Sequence, residues 1–275
     1  MKILIAGSII LVLFFGAAAF VYLARLADGG SVLADNLSEP LNGATAAKVD
    51  INCGPGHLTI DPLTGSEQLL AGGTLQYLES QGLPTRALAS KNGQATLTLR
   101  GSENGAGRSG FRFPWQACGG GAFEWQIHLN PTVASDITAH SDGGNVKLNL
   151  ARMAVSHLSA DTGGGNMDVV LPDNAANLSV AVKTGAGNVT VEIGSNITGH
   201  NTVDASSGAG NVVVRVPGGI AARIHANTGL GKTTVDSRFN KTDEHTYQSS
   251  DYDGAADRVE ITVNSGTGNV NINTP

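Results

Sequence analysis

The chain has 275 residues and a net charge of −6, with 37 glycines, 15% charged and 5% aromatic residues. Glycine at about twice its usual frequency of ~7% requires many tight turns and argues against long helices. Beyond Arg25 there are 15 bases against 23 acids, a surface that repels phosphate backbones and anionic headgroups and so speaks against nucleic-acid binding.

From Ile3 to Leu23 run 21 consecutive uncharged, mostly apolar residues. At ~1.5 Å per residue a helix of that length crosses a ~30 Å hydrocarbon core. Ala17, Ala18 and Ala19 offer a small-residue site of the kind that ends a signal peptide, but the apolar run continues through Phe20, Val21, Tyr22 and Leu23. The reading is therefore an uncleaved anchor over residues 1–24, with a cleaved signal peptide as the alternative. Either way the rest of the chain lies outside the cytoplasm, periplasmic or at the cell surface, and is secreted if cleavage occurs. Residues 25–43 are polar and read as a linker.

Residues 44–132 carry alternating apolar and polar segments such as AAKVDINC, LTIDP, ATLTLRG and FEWQIHLNP. They predict an N-terminal β region that holds a first atypical repeat and a cap. Cys53 and Cys118 fit neither a CxxC pair nor a four-ligand zinc site, which leaves one disulfide in an oxidising compartment or two free thiols. Gly105, Gly107 and Gly110 spell GxGxxG, yet FRFPW follows, and Pro114 with its aromatic neighbours removes the helix that a dinucleotide site needs. The stretch from Phe111 to Trp125 concentrates Phe111, Phe113, Trp115, Phe123 and Trp125 beside Cys118. As an exposed cluster it is a patch for a partner, a glycan or a small ligand. As a buried one it covers strand edges at the open end of the fold.

Self-similarity dominates residues 133–275. AHSDGGNVKLNL, ADTGGGNMDVVL, VKTGAGNVTVEI, ASSGAGNVVVRV, ANTGLGKTTVD and VNSGTGNVNINT each join two strands through a turn with two alternate glycines, and INCGPGHLTI is an earlier copy. The second glycine falls at Gly144, Gly165, Gly187, Gly210, Gly231 and Gly268, with central intervals of 21, 22, 23 and 21 residues. The 88-residue gap from Gly56 to Gly144 and the 37-residue gap before Gly268 read as insertions. Glycine supplies the positive φ that such a turn needs, and asparagine at Asn145, Asn166, Asn188, Asn211 and Asn269 tolerates the left-handed region next best or forms an amide ladder between copies. Val189, Val191 and Ile193, like Val212, Val214 and Val216, share one face of a strand and point inward. One such unit cannot bury that face alone, so copies must stack. The expectation is all-β: a single β-solenoid of ~21-residue strand–turn–strand repeats after one N-terminal transmembrane helix.

The TGAGN-type turns, the FEWQIHLNP strand and the late segment TYQSSDYDGAADRVEITVNSGTGNV resemble the toast-rack, adhesin-like family of bacterial extracytoplasmic proteins. They are similar to the C-terminal domain of LiaF-like cell-envelope stress proteins. The resemblance covers residues 44–275 and implies a β-solenoid, a bacterial envelope setting, a non-enzymatic role and no catalytic residues to carry over.

Other motifs dissolve on inspection. ANTGLGKT, Ala226 to Thr233, matches a relaxed phosphate loop, but such a loop must open a helix facing phosphate, whereas TVDSRF follows and Lys232 sits in register with the turn asparagines. The glycine-rich turns lack the aspartate of a calcium nonapeptide, with Val189 or Val212 in its place. The seven histidines form no HExxH, and no GxSxG occurs. The residues thus point to an anchored scaffold, adhesin-like or envelope-stress accessory protein, without catalytic residues, cofactor, metal or nucleotide. Its partners are the membrane through the N-terminal helix and other envelope proteins or a second copy. The alternative is a receptor that uses the aromatic stretch. Lys232→Ala is expected to change stability by no more than ~0.5 kcal/mol. Calorimetry with Mg-ATP should show no binding to either form, and binding that the substitution removes would reverse this reading.

Overall fold

A computed structural model describes residues 31–65, 68–102 and 123–275. The apolar segment 3–23 lies outside them, and among the described residues no helix is long and apolar enough to cross a membrane.

The period-two patterning produces strands almost throughout. β1 (Val32–Pro40), β2 (Ala46–Asn52), β3 (Gly56–Pro62) and β4 (Leu69–Leu78) are followed by a 3-10 turn at Glu79–Gln81. β5 (Thr85–Lys91) and β6 (Gln94–Arg100) form a hairpin, whose Asn92–Gly93 corner takes positive φ at both residues, as a tight two-residue turn requires. β7 (Phe123–Leu129) follows. The chain then alternates long and short strands: β8 (Ala134–Ser141), β9 (Val146–Asn149), β10 (Val155–Thr162), β11 (Met167–Val170), β12 (Ser179–Ala186) and β13 (Val189–Glu192). β14 (His200–Ala209), β15 (Val212–Arg215), β16 (Ala221–Leu230) and β17 (Thr233–Val235) continue the pattern. A small hairpin, β18 (Phe239–Lys241) with β19 (Thr246–Ser249), precedes β20 (Arg258–Thr267) and β21 (Val270–Asn273).

Two sheets result. One has ten strands in the order β1-β4-β7-β3-β9-β11-β13-β15-β21-β17, and the other eleven in the order β18-β19-β16-β20-β14-β12-β10-β8-β2-β6-β5. Each repeat is a rung that contributes its long strand to the eleven-stranded sheet and its short strand to the ten-stranded one. Neighbouring rungs pair in parallel, for example Val182 with Ala205 and Val191 with Val214. The inward residues Val189, Val191, Val212, Val214 and Val216 are buried in one apolar cluster that extends from Leu37 to Ile272.

The turn column accounts for nearly every polar group it places next to the core. The residue before the first glycine is a buried serine or threonine in most rungs, and its hydroxyl reaches the carbonyl of the second glycine in the neighbouring rung. Thr162 donates to Gly144 O (3.1 Å), Thr184 to Gly165 O (3.0 Å), Ser207 to Gly187 O (2.8 Å) and Ser265 to Gly210 O (2.9 Å). The second glycine's own N–H goes the other way, as from Gly187 N to Ala209 O (2.8 Å). Gly187 and Gly210 have φ of 143° and 149°. A Cβ at Gly187 would lie 2.1 Å from Gly165 O, and one at Gly210 would lie 1.9 Å from Gly187 O. Both the backbone conformation and the close approach of rungs therefore demand glycine. Gly144, Gly165 and Gly268 repeat the same geometry, and a Cβ at Gly231 would meet Gly268 O at 1.9 Å.

Three expectations are corrected. The turn asparagines are not left-handed: among described non-glycine residues positive φ is confined to Asn42, Asn92 and Asn177. Their conserved geometry has another cause, because each side-chain oxygen accepts the backbone N–H of the next rung. Asn145 accepts from Asn166 (2.9 Å), Asn166 from Asn188 (3.0 Å), Asn188 from Asn211 (2.9 Å) and Asn211 from Asn269 (2.8 Å). Amide-to-amide bonds at 3.3 Å supplement two of these steps.

Second, the long gap before Gly144 is not a plain insertion. It contains β6 and β7, which stack in parallel on β2 and β3 and so form a further rung. Residues 103–122, between β6 and β7 in the chain, lie outside the described residues.

Third, the stack is not uniformly a sequential solenoid. Antiparallel strands β1, which occupies Val32–Pro40 of the segment 25–43 read as a linker, β4 and β5 close one end, β18 and β19 cover β16 at the other, and the last rung, β20 with β21, inserts between its two predecessors.

Gly187→Ala should lower the urea midpoint substantially, because a positive-φ residue with a backbone clash costs on the order of 1–3 kcal/mol. Asn188→Ala removes exposed hydrogen bonds worth about 1 kcal/mol and should shift the midpoint less. Equal, negligible shifts would contradict the stacked-turn geometry.

Candidate interaction surface

The aromatic stretch divides. Phe111, Phe113, Trp115 and Cys118 lie outside the described residues, as does the GxGxxG segment. Phe123 and Trp125 alternate inward on β7 and are buried, Trp125 to 2% exposure. The Trp125 indole N–H donates to Gln76 O at 2.9 Å, which satisfies its one polar group. These two residues are therefore withdrawn from any ligand patch: period-two alternation places them with Ile127 and Leu129 against the core.

Cys53 occupies the hydroxyl position of the first turn. Its thiol is buried and lies 3.6 Å from Gly54 O and 4.0 Å from Gly56 O, carbonyls of its own turn, while Ser141 of the next rung donates to Gly56 O (3.0 Å) as the other hydroxyls do to their neighbours. Burial pushes the thiol pKa up to about 11, so it stays protonated at neutral pH and is a poor nucleophile or metal ligand. Its proposed partner Cys118 lies outside the described residues.

Lys232 ends the asparagine column. Its backbone N–H donates to Asn269 Oδ1 at 3.0 Å, and the strand β17 follows where a phosphate loop would open a helix. At the opposite end His57 replaces asparagine and accepts from Asn145 N at 2.9 Å. Lysine has no acceptor, so the ladder stops there.

The eleven-stranded sheet presents a polar outer face whose rows follow the parallel register. His140, Asp161, Lys183 and Ser206 form one row, and Thr138, Ser159, Ala181 and Asp204 the next. Between the long side chains, Ser159 and Ala181 leave an open groove of about 550 Å³ that runs across the rungs. His140 bridges Asp161 through Nδ1 and Asp142 through Nε2 (3.1 Å). The other described histidine–carboxylate pairs, His128 with Asp61, His200 with Glu260 and His245 with Glu244, are similarly at the surface. Among the described residues no cluster of three His, Cys, Asp or Glu is arranged to hold a metal ion. The groove is lined by charged and hydrogen-bonding groups, among them His140, Asp161 and Lys183. Sequence reading missed it, because it arises from register between rungs; the signal available was the alternation of His140, Asp161 and Lys183 at matching positions of successive repeats.

Partial desolvation pulls the His140 pKa down, but hydrogen bonds to Asp161 and Asp142 and their charges outweigh it, and the net shift is upward. A raised folded-state pKa contributes stability that is complete below the unfolded value of ~6.5 and is lost as pH rises through the folded value. His140→Gln should therefore destabilise the protein more at pH 6 than at pH 9 in urea titrations. The effect should be modest, because the group is partly exposed, and a difference that grew with pH would contradict the assigned pairs.

Against this geometry, a search of curated protein sequences finds no match. Among solved structures, a crystal structure of a candidate cell adhesion protein from Clostridium sporogenes superposes with a TM-score of 0.62 at 23% identity, covering 89% of this chain and 100% of that one, and so shares its fold. A candidate adhesin from Bacteroides fragilis covers 88% of this chain and 97% of its own at 10% identity, with a TM-score of 0.29. Residues 174–272 match the family model described as cell wall-active antibiotics response LiaF, C-terminal. Residues 29–192, more than half of the chain, match the model for the N-terminal domain of toast_rack, and the chain belongs to the toast-rack family.

Proposed function

We propose that the protein is a non-enzymatic, membrane-anchored interaction scaffold of the bacterial cell envelope, adhesin-like or accessory to an envelope-stress response. The observation that carries this reading is the juxtaposition of an apolar run, Ile3 to Leu23, with family matches that begin at residue 29 and extend to residue 272. β1 starts at Val32, nine residues after Leu23, so an uncleaved anchor would hold the β stack within about 30 Å of the bilayer surface. The LiaF match supports an envelope-stress setting, and the likeness to the Clostridium protein supports the fold alone.

The stack suits a scaffold. Its turn polar groups are consumed within the ladder, and its outer faces vary from rung to rung without disturbing the core. Its partners are then other envelope proteins or further copies of itself, reached by the outer face of the eleven-stranded sheet, with the lipid bilayer engaged only by the N-terminal helix. The receptor alternative loses two of its five aromatics, Phe123 and Trp125, to the core.

An alkaline phosphatase fused after Pro275 should be active in intact cells, because that enzyme folds only in an oxidising compartment, and the fusion should sediment with membranes. An inactive phosphatase together with a fluorescent cytoplasmic reporter at the same position would refute the extracytoplasmic assignment. Full activity in a soluble fraction would replace the anchor with a cleaved signal peptide.

A further inference from the structure

From β8–β9 to β14–β15 each rung stacks on the one before it in sequence. The next rung, β16–β17, does not stack on β14–β15. It stands one place away, and β20–β21 fills the gap, with β20 in register against β14 from His200↔Arg258 to Ala209↔Thr267 and against β16 from Ala221↔Arg258 to Leu230↔Thr267. β21 similarly lies between β15 and β17. The chain thus builds a slot two strand spacings wide, roughly 9.6 Å, and fills it last with its own C-terminus.

The wall formed by β16–β19 has contacts of its own besides those to the segment that fills the slot. Arg238 ties it to the crossover from β15 to β16 by donating to Val216 O (3.3 Å), Pro217 O (3.1 Å) and Ile220 O (3.1 Å), and its Nε donates to Thr274 Oγ1 (3.0 Å) just after β21. The hairpin β18–β19 stays with β16 through antiparallel pairing of Arg223 with Gln248 and Ile224 with Tyr247. The contacts inside the slot are those of the general repeat. Ser265 Oγ donates to Gly210 O and Thr228 Oγ1 to Gly268 O, Asn269 N to Asn211 Oδ1 and Lys232 N to Asn269 Oδ1. None of them depends on which chain supplies the strand.

The connection allows exchange. Residues 250–257 join β19 to β20: in the single 3-10 turn Tyr252–Gly254 Tyr252 is buried and Asp253 accepts from Arg223 and Gln248 of the same wall, Ala255 and Ala256 follow, and Asp257 accepts from Gly199 N across the slot. Released from these contacts and fully extended, eight residues reach about 28 Å. An empty slot exposes two parallel edges at once, which is the condition under which an identical element from another protomer is taken up at little cost.

We propose that the slot between β14–β15 and β16–β17 is an exchange site whose partner is a second copy of this chain, each copy seating its residues 258–273 in the other. The inference stands on the topology and is independent of the proposed function.

Asp204 and Thr262 are register partners on the outer face. Full-length chains carrying Asp204→Cys and full-length chains carrying Thr262→Cys, refolded together from urea in detergent at high protein concentration, should form a disulfide-linked pair containing one of each. Ser159→Cys mixed with Thr262→Cys should not, because β10 never neighbours β20. Equal linkage in the two mixtures, or none in either, overturns the proposal.

Discussion

Everything in this fold depends on how closely one turn can approach the next. In most rungs the hydroxyl of the serine or threonine ahead of the first glycine is buried and must find an acceptor, and that acceptor is the second glycine's carbonyl one rung away. The approach works only while the facing position lacks a Cβ, since at Gly187 and Gly210 an added carbon would stand about 2 Å from that carbonyl. Glycine and hydroxyl are therefore one device: the first permits the distance, and the second uses it. Asparagine adds an outer line of bonds along the same column, from Asn145 to Asn269.

With the turns pinned, the two sheets follow, and with them the management of their ends. A stack of parallel rungs would expose open edges that invite further pairing. At the N-terminal end Arg86 on β5 donates to Asn36 O on β1 at 3.0 Å and lies 3.6 Å from Asp35 and 3.9 Å from Glu39. It thereby ties the outermost strand of one sheet to that of the other. At the C-terminal end β17 is only three residues long, Lys232 offers no acceptor to a following turn, and β18–β19 covers β16. The ladder is extensible in principle and is terminated by particular residues at each end.

This construction bears on function. A repeat whose core is narrow and whose turn polar groups are internally satisfied leaves its outer faces free to vary, and surfaces such as the His140, Asp161 and Lys183 row are set by register between rungs. Such rows present side chains at the ~4.8 Å spacing of strands on a frame that tolerates their exchange, which suits the proposed scaffold role.

The sequence by itself determined the strand–turn–strand unit, the inward valines, the glycine column and the family, because all of these follow from local rules: period-two burial, positive φ and the repeat interval of Gly144 through Gly231. It also placed Lys232 in the column of turn residues, by register and by the strand-like TVDSRF that follows. What only the tertiary structure decided was the order in which units stack and what their side chains meet. β6 and β7 form a rung although no TGxGN joins them, and β20–β21 enters between earlier rungs, because parallel register is indifferent to chain order once the connections are long enough. Trp125 proved to be core and Asn188 a ladder residue with ordinary φ for the same reason. Burial and hydrogen-bond partners at those positions come from strands distant in sequence, which no local pattern encodes.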